Sequence, residues 1–251
     1  MSNFVISRSA YRCICFFLCA LFSTSCLANG INLAPSAELI YKIKSSQKGI
    51  PVSGEAKITW KINDGVNNTK NYDLLSETSV TLFGKILTSS SKGTINESGL
   101  VPEQFVEKRF RREQTKTIFE RQAKLIKFSG GEPDLALRGG EQDRLSVTWQ
   151  VVTLARQAGS KLSNGQEWKM IVAGVHDADP WIFTIKDQMR IHTDLGDLDV
   201  VHILRAPPVD SPGQQLELWL APAFDYYPVR INFIDANGDR IEQKISRIQK
   251  L

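Results

Sequence analysis

The chain has 251 residues and carries 31 Lys and Arg against 27 Asp and Glu, a formal net charge of +4. A balance that close to neutral argues against nucleic acid as a partner, because such binders carry a basic stripe or a strongly basic domain. All four cysteines, Cys13, Cys15, Cys19 and Cys26, stand near the start, so the rest of the chain holds no thiol for a disulfide, a nucleophile or a cysteine metal site.

The first element is a leader. Met1 to Ala28 has the three zones of a secretory signal peptide: the cations Arg8 and Arg12, an apolar run from Cys13 to Phe22, and small residues ahead of a cut. The run is too short to span a bilayer, which takes about 20 residues. Small side chains at Cys26 and Ala28 place the cut after Ala28, so the mature chain begins at Asn29 and is expected in the periplasm. A periplasmic chain without cysteine avoids stray pairing in an oxidising compartment. Cys26 has a second reading, as the lipid-bearing cysteine of a lipoprotein after Ser23, Thr24 and Ser25, although Ser23 stands where that pattern usually has Leu. Loss of Arg8 and Arg12 leaves 29 basic against 27 acidic side chains. About 220 remaining residues suit one all-β domain over residues 29–251.

After the leader, apolar and polar residues alternate at period two between turn residues, the pattern of half-buried antiparallel strands. Leu39, Tyr41 and Ile43 share one face of a strand over Ala37 to Lys44. Ile58, Trp60 and Ile62 do the same over Gly54 to Ile62. Further strands are predicted over Asn71 to Leu82, Leu87 to Ile95, Pro102 to Phe110, Lys116 to Gln122 and Lys124 to Phe128, with turns at Gly65, Gly84 and Gly99. A loop with Gly130, Gly131, Pro133, Gly139 and Gly140 follows.

Asp143 to Ala158 breaks the pattern. Leu145, Trp149, Val152 and Ala155, widened by Val147, Val151, Leu154 and Ala158, recur at helical spacing. Asp143 is placed to cap this helix and Gly159 to end it. Strands return over Glu167 to Ala173, Trp181 to Lys186, Met189 to Thr193, Asp199 to Leu204, Gln215 to Leu220, Val229 to Asp235 and Arg240 to Ile248, the last two joined by an Asn237-Gly238 hairpin signal. One helix among a dozen strands predicts a mainly β (α+β) chain, a large twisted antiparallel sheet curling around the helix.

The Asp143-Arg144-Leu145-Ser146 helix opening and the late runs Leu218-Trp219-Leu220-Ala221-Pro222 and Tyr227-Pro228-Val229-Arg230-Ile231, together with the leader, resemble the exported bacterial family of unknown function DUF3108. The late pattern is also similar to the periplasmic lipoprotein carriers LolA and LolB. The resemblance spans roughly Leu39 to Ile248. It implies an incomplete, strongly curved antiparallel β-barrel with one long helix packed in or over its mouth and, in the carriers, an apolar cavity that accepts acyl chains.

Candidate chemistry is sparse. His176 lies near Asp177 and Asp179, His192 near Asp194, and His202 near Asp199, but strand alternation does not converge them on a metal. Asp235, Asn237 and Asp239 imitate a calcium loop, yet Arg240 stands where that loop needs Gly. No nucleophile elbow or phosphate-binding glycine loop occurs, so neither an enzyme nor a cofactor is expected. Lys108, Arg109, Arg111 and Arg112 form either a solvated face offset by Glu103, Glu107 and Glu113 or a contact for lipid phosphates. The five tryptophans default to core packing. Two readings of function remain: a module holding a lipid or acyl chain, with Leu145, Trp149, Val152 and Trp219 as the candidate ligand-binding residues, or a structural protein with a filled core that meets an envelope protein partner. Secreted material should start at Asn29, which N-terminal sequencing or intact mass will show. A diacylated Cys26 at the start overturns that boundary.

Overall fold

The computed structural model describes residues 30–251 apart from 48–49, 67–68, 82, 208–213 and 236–237, and the side chains of 46, 47 and 50. The leader, its cut and Cys26 lie outside the described residues, as does Asn237 of the predicted hairpin.

Eight strands precede the helix: β1 (Ala37–Gln47), β2 (Ile50–Asp64), β3 (Lys70–Val80), β4 (Gly84–Asn96), β5 (Gly99–Arg109), β6 (Thr115–Glu120), β7 (Leu125–Phe128) and the two-residue β8 (Leu135–Ala136). A second short strand, β9 (Gln142–Asp143), leads into α1 (Ser146–Ala158). Six strands follow: β10 (Glu167–Ala173), β11 (Ala178–Thr193), β12 (Gly196–Arg205), β13 (Gln215–Ala221), β14 (Tyr227–Ile234) and β15 (Arg240–Lys250). Among the described residues no helix is long and apolar enough to cross a membrane.

All strands belong to one 15-stranded sheet, ordered from β8 back to β1 and then from β15 back to β9. Each hairpin sets its two strands side by side, and the two runs meet where β1 pairs with β15, from Ala37 opposite Lys250 to Ser46 opposite Arg240. Pairing is antiparallel throughout except between β9 and β10. The sheet ends at β8 and β9, which are not hydrogen-bonded to each other, so the curved sheet is unclosed. Side chains span the gap: Phe119, Ile126, Phe128 and Leu137 cluster with Ala173, and the Thr117 hydroxyl donates to the Gly174 carbonyl at 2.7 Å.

Period two puts the predicted residues on the inner face. Ala37, Leu39, Tyr41 and Ile43 are buried along β1, as are Ala56, Ile58 and Trp60 along β2. The expected strands Trp181 to Lys186 and Met189 to Thr193 are one strand, β11. A register shift between Ile185 and Asp187 absorbs the extra residue, after which pairing to β12 resumes at Asp187 opposite His202.

The helix starts three residues later than its predicted cap. Asp143 ends β9, yet its Oδ1 accepts the backbone N–H groups of Leu145 at 2.9 Å and Ser146 at 2.7 Å, satisfying donors that the first helical turn leaves orphaned. At the far end Gly159 takes a φ of 50° and its N–H reaches the Ala155 carbonyl. Trp149 stacks on Trp60 of β2, with centroids 4.7 Å apart and 13° between planes, and meets Tyr227 edge-on at 5.9 Å. The residues before β1 strap across this stack, since Trp60 Nε1 donates to the Ala34 carbonyl at 2.9 Å and Tyr227 Oη to the Pro35 carbonyl at 2.7 Å. Gln150 docks on the β4–β5 turn: its Oε1 accepts from Leu100 N and its Nε2 donates to the Ser98 carbonyl, both at 2.8 Å. Gly99 between them has φ 121°, and a Cβ there would lie 2.1 Å from Gln150 Oε1, so only glycine fits.

Asp143 is fully enclosed. Its Oδ2 accepts the Ser91 hydroxyl, which in turn accepts the Tyr72 phenol at 2.9 Å, so one carboxylate links β3, β4 and the helix start. Burial raises its pKa from 3.8 to about 6, against the opposing pull of those hydrogen bonds. The folded protein therefore holds this proton more tightly than the unfolded chain does. The stability from that protonation is full below about pH 4 and is lost as pH rises through about 6, a difference of roughly 3 kcal/mol. Asp143→Asn keeps an acceptor without the charge. Urea unfolding from pH 4 to 7.5 should show wild type losing stability relative to this variant by about that amount; a pH-independent difference would count against the assignment.

Candidate functional site

Antiparallel connection sorts the turns to the two ends of the sheet. The β3–β4, β5–β6, β12–β13 and β14–β15 connections fall at one end, and near it a cavity of about 670 Å³ lies between the concave face and the first turn of α1. Its apolar wall comes from seven strands and the helix start: Ile58, Ile86, Leu87, Phe105, Trp181, Leu216, Ile231, Phe233 and Ile241, with Leu145 and Trp149. Leu216 and Ile241 stand directly opposite Phe233 on the neighbouring strands, so three chain segments present apolar groups at one level. The space exists because side chains shrink toward this end: β3 places Tyr72 and Leu74 on its inner face and then Ser76 and Thr78, while β4 brings Ser89, and the last three line the cavity. That size, with apolar walls and a few polar groups, is typical of sites for small apolar ligands.

The polar groups gather at the rim. Glu107 is buried and accepts Arg109 Nε at 2.6 Å. Arg144 forks onto Asp177 at 3.0 and 3.2 Å. Arg109, Arg112 and Arg144 all face the cavity, giving it an apolar interior with a cationic margin. Arg205 lies over the Trp181 ring at 4.5 Å and donates to the Gln214 carbonyl; burial lowers its pKa. A smaller cavity of about 330 Å³ lies near the β4–β5 turn, lined by Gln142 and Gln150, the residues that dock the helix, together with Arg121.

The four residues picked from the sequence part ways. Leu145 and Trp149 stand in the cavity wall. Val152 is fully buried further along the helix and does not line it. Trp219 is on the opposite face of the sheet: it pairs across strands with His202 and Arg230, while its neighbours Leu218 and Leu220 enter the core. The His202 ring stacks on it at 4.6 Å and 4°, and the Arg230 guanidinium covers it at 4.6 Å, which explains burial without an inward orientation. Ile58, Phe105, Trp181, Leu216, Ile231 and Phe233 were missed as wall residues. The step from large to small residues at Ser76, Thr78 and Ser89 was the one available signal for space. The histidines pair separately, His176 with Glu132, His192 with Asp197 at 2.7 Å and His202 with Asp187 at 3.2 Å. The last two carboxylates come from the facing strand, not from the sequence neighbours Asp194 and Asp199.

This architecture is a barrel-like, unclosed antiparallel sheet around one helix. The chain belongs to the DUF3108 family, described as proteins of unknown function, whose model matches residues 40–245. No curated protein matches it. Among solved structures, a β-barrel-like protein of domain of unknown function DUF1849 from Brucella abortus is similar with a TM-score of 0.58 at 11% identity, covering 87% of this chain and 99% of that one. A DUF1329 family protein from Desulfovibrio piger covers 88% of this chain and 87% of its own at 8% identity, with a TM-score of 0.28. The Brucella protein supports the fold alone.

Trp149 is at once a stacking partner of the core and a wall of the cavity. Trp149→Ala should cost about 3–5 kcal/mol, read from the urea midpoint, because Trp60 and Tyr227 lose their packing partner. Phe233→Ala, which trims the wall where empty space already exists, should cost less than half as much. Equal losses would mean that the cavity is not open in solution.

Proposed function

We propose that the chain is an exported cell-envelope protein that holds a lipid acyl chain, or another apolar envelope component, inside its curved sheet. The single observation that carries this reading is the roughly 670 Å³ apolar cavity beside Leu145 and Trp149. A chain under selection only to fill its core would place larger side chains at Ser76, Thr78 and Ser89, since voids forfeit packing energy. The leader and the similarity to the LolA and LolB carriers agree with an envelope role. In this reading the first turn of α1 is the lid: Leu145 and Trp149 close over the ligand, and the Asp143 carboxylate holds that turn against β4. No reaction is assigned to this space, whose hydroxyls are those of Ser76, Thr78, Ser89 and Thr148.

Native mass spectrometry of the purified mature protein should find a co-purifying lipid. After delipidation the protein should bind the neutral apolar probe N-phenyl-1-naphthylamine, with fluorescence enhancement. Ile231→Trp, which adds bulk inside the wall, should abolish probe binding while the far-ultraviolet spectrum stays unchanged. If the parent protein carries no lipid and binds no probe, the chain is instead a structural envelope protein that acts through a protein partner.

A further inference from the structure

Two hairpin tips beside the cavity carry exposed aromatic side chains. Phe83, in the β3–β4 turn, is 65% exposed and Phe110, in the β5–β6 turn, is 45% exposed. They come together although 27 positions separate them in the chain, with ring centroids 6.5 Å apart. The backbone fixes this arrangement: Phe110 N donates to the Ile86 carbonyl at 2.8 Å, so the second tip is bonded to the strand that leaves the first. Burial of apolar area normally drives such rings inward, so an exposed pair on neighbouring tips calls for a partner.

The same two turns are cationic. Lys85, Lys108, Arg109, Arg111 and Arg112 lie in or beside these turns in the chain, with the carboxylates Glu77, Glu107 and Glu113, and Asp235 lines the same cavity as Arg109, Phe110 and Arg112. Lys85 pairs with Glu77 and Arg109 with Glu107. Lys108 instead donates to the Arg112 carbonyl at 2.7 Å, and the Arg111 guanidinium lies over the Phe110 ring at 4.9 Å. Among the described residues Lys108, Arg111 and Arg112 have no carboxylate partner within ion-pair distance, which leaves their charge to an outside anion. Phe110, Arg109 and Arg112 also line the cavity, so the patch is continuous with its rim.

We propose that this end of the molecule docks on an anionic bilayer surface, with Phe83 and Phe110 inserted among the head groups and Lys108, Arg111 and Arg112 bound to lipid phosphates. Exposed Phe side chains bind a bilayer surface by burying apolar area at the boundary of head groups and acyl chains, and each cation near an anionic leaflet adds attraction that salt screens. Convex tips suit a bilayer, which yields around them. A stable protein interface needs a complementary surface of about 800 Å² on each partner, more than two rings and their neighbours offer. The inference deepens the cavity reading by naming where the ligand enters: an acyl chain can pass from the leaflet to the apolar wall without crossing water.

Co-sedimentation of the mature protein with vesicles tests this. Binding is expected to phosphatidylcholine vesicles containing phosphatidylglycerol, weak or absent on pure phosphatidylcholine, and reduced by added salt. Phe83→Ser combined with Arg111→Ser, both exposed and outside the cavity wall, should weaken vesicle binding about tenfold or more. The same variant should keep its unfolding midpoint and its uptake of N-phenyl-1-naphthylamine. Absence of binding by the parent, equal binding to neutral vesicles, or an unaffected variant overturns the docking surface. A concentration-dependent dimer in sedimentation velocity that the variant loses also overturns it, assigning the tips to a second copy of the chain. Vesicle binding without probe uptake sinks the cavity reading and leaves the docking surface standing, whereas probe uptake without vesicle binding does the reverse.

Discussion

The pairing of β1 with β15 is the constraint from which the rest follows. Each run of hairpins could form locally, but separately they would be two open sheets with long unpaired edges at β1 and β15, a condition that favours aggregation. Joining them aligns Ala37 with Lys250 and Ser46 with Arg240, and this long-range ladder makes one sheet of 15 strands. Twist then accumulates across the sheet and brings its outer members toward each other. The edges that remain are two residues long, and apolar packing around Phe119 and Phe128 bridges them.

Within that curve the helix is located by few but specific contacts. The Trp60–Trp149 stack, the Gln150 clasp on the Gly99 turn and the Asp143 carboxylate each join α1 to a different strand. Asp143 illustrates the balance: enclosing a carboxylate is unfavourable, and its three donors offset only part of that. A protein that keeps such a group gains a fixed helix start, which in turn sets where Leu145 and Trp149 face. The helix fills the concave side along its length but leaves the end near the β3–β4 and β5–β6 turns open, and short side chains on β3 and β4 do the rest.

A shared fold does not carry a shared function, and the Brucella protein of similar fold belongs to a domain of unknown function itself. The functional argument therefore rests on the site. An apolar interior, a cationic margin and exposed aromatic tips lie in that order from core to surface. An amphiphile with an anionic head presents the complementary order.

The strands, the single helix and the inward face of β1 and β2 were legible in the sequence, because period-two and period-3.6 patterns are local consequences of backbone geometry. The Gly159 end of the helix was legible too, and so was the tie of Asp143 to its start, although the helix itself begins three residues later, at Ser146. Period two says which residues share a face but not which face is inside, and so Trp219 could be placed on a strand yet not on its outer surface, where His202 and Arg230 cover it. In the same way His192 and His202 found their carboxylates on the facing strand, at Asp197 and Asp187, because the hairpin register and the β11 bulge decide those neighbours. The cavity was least legible. Whether Ile58, Trp181 or Phe233 fills a core or walls a void depends on residues brought to the same level from distant parts of the chain, and only the closed β1–β15 ladder sets that level.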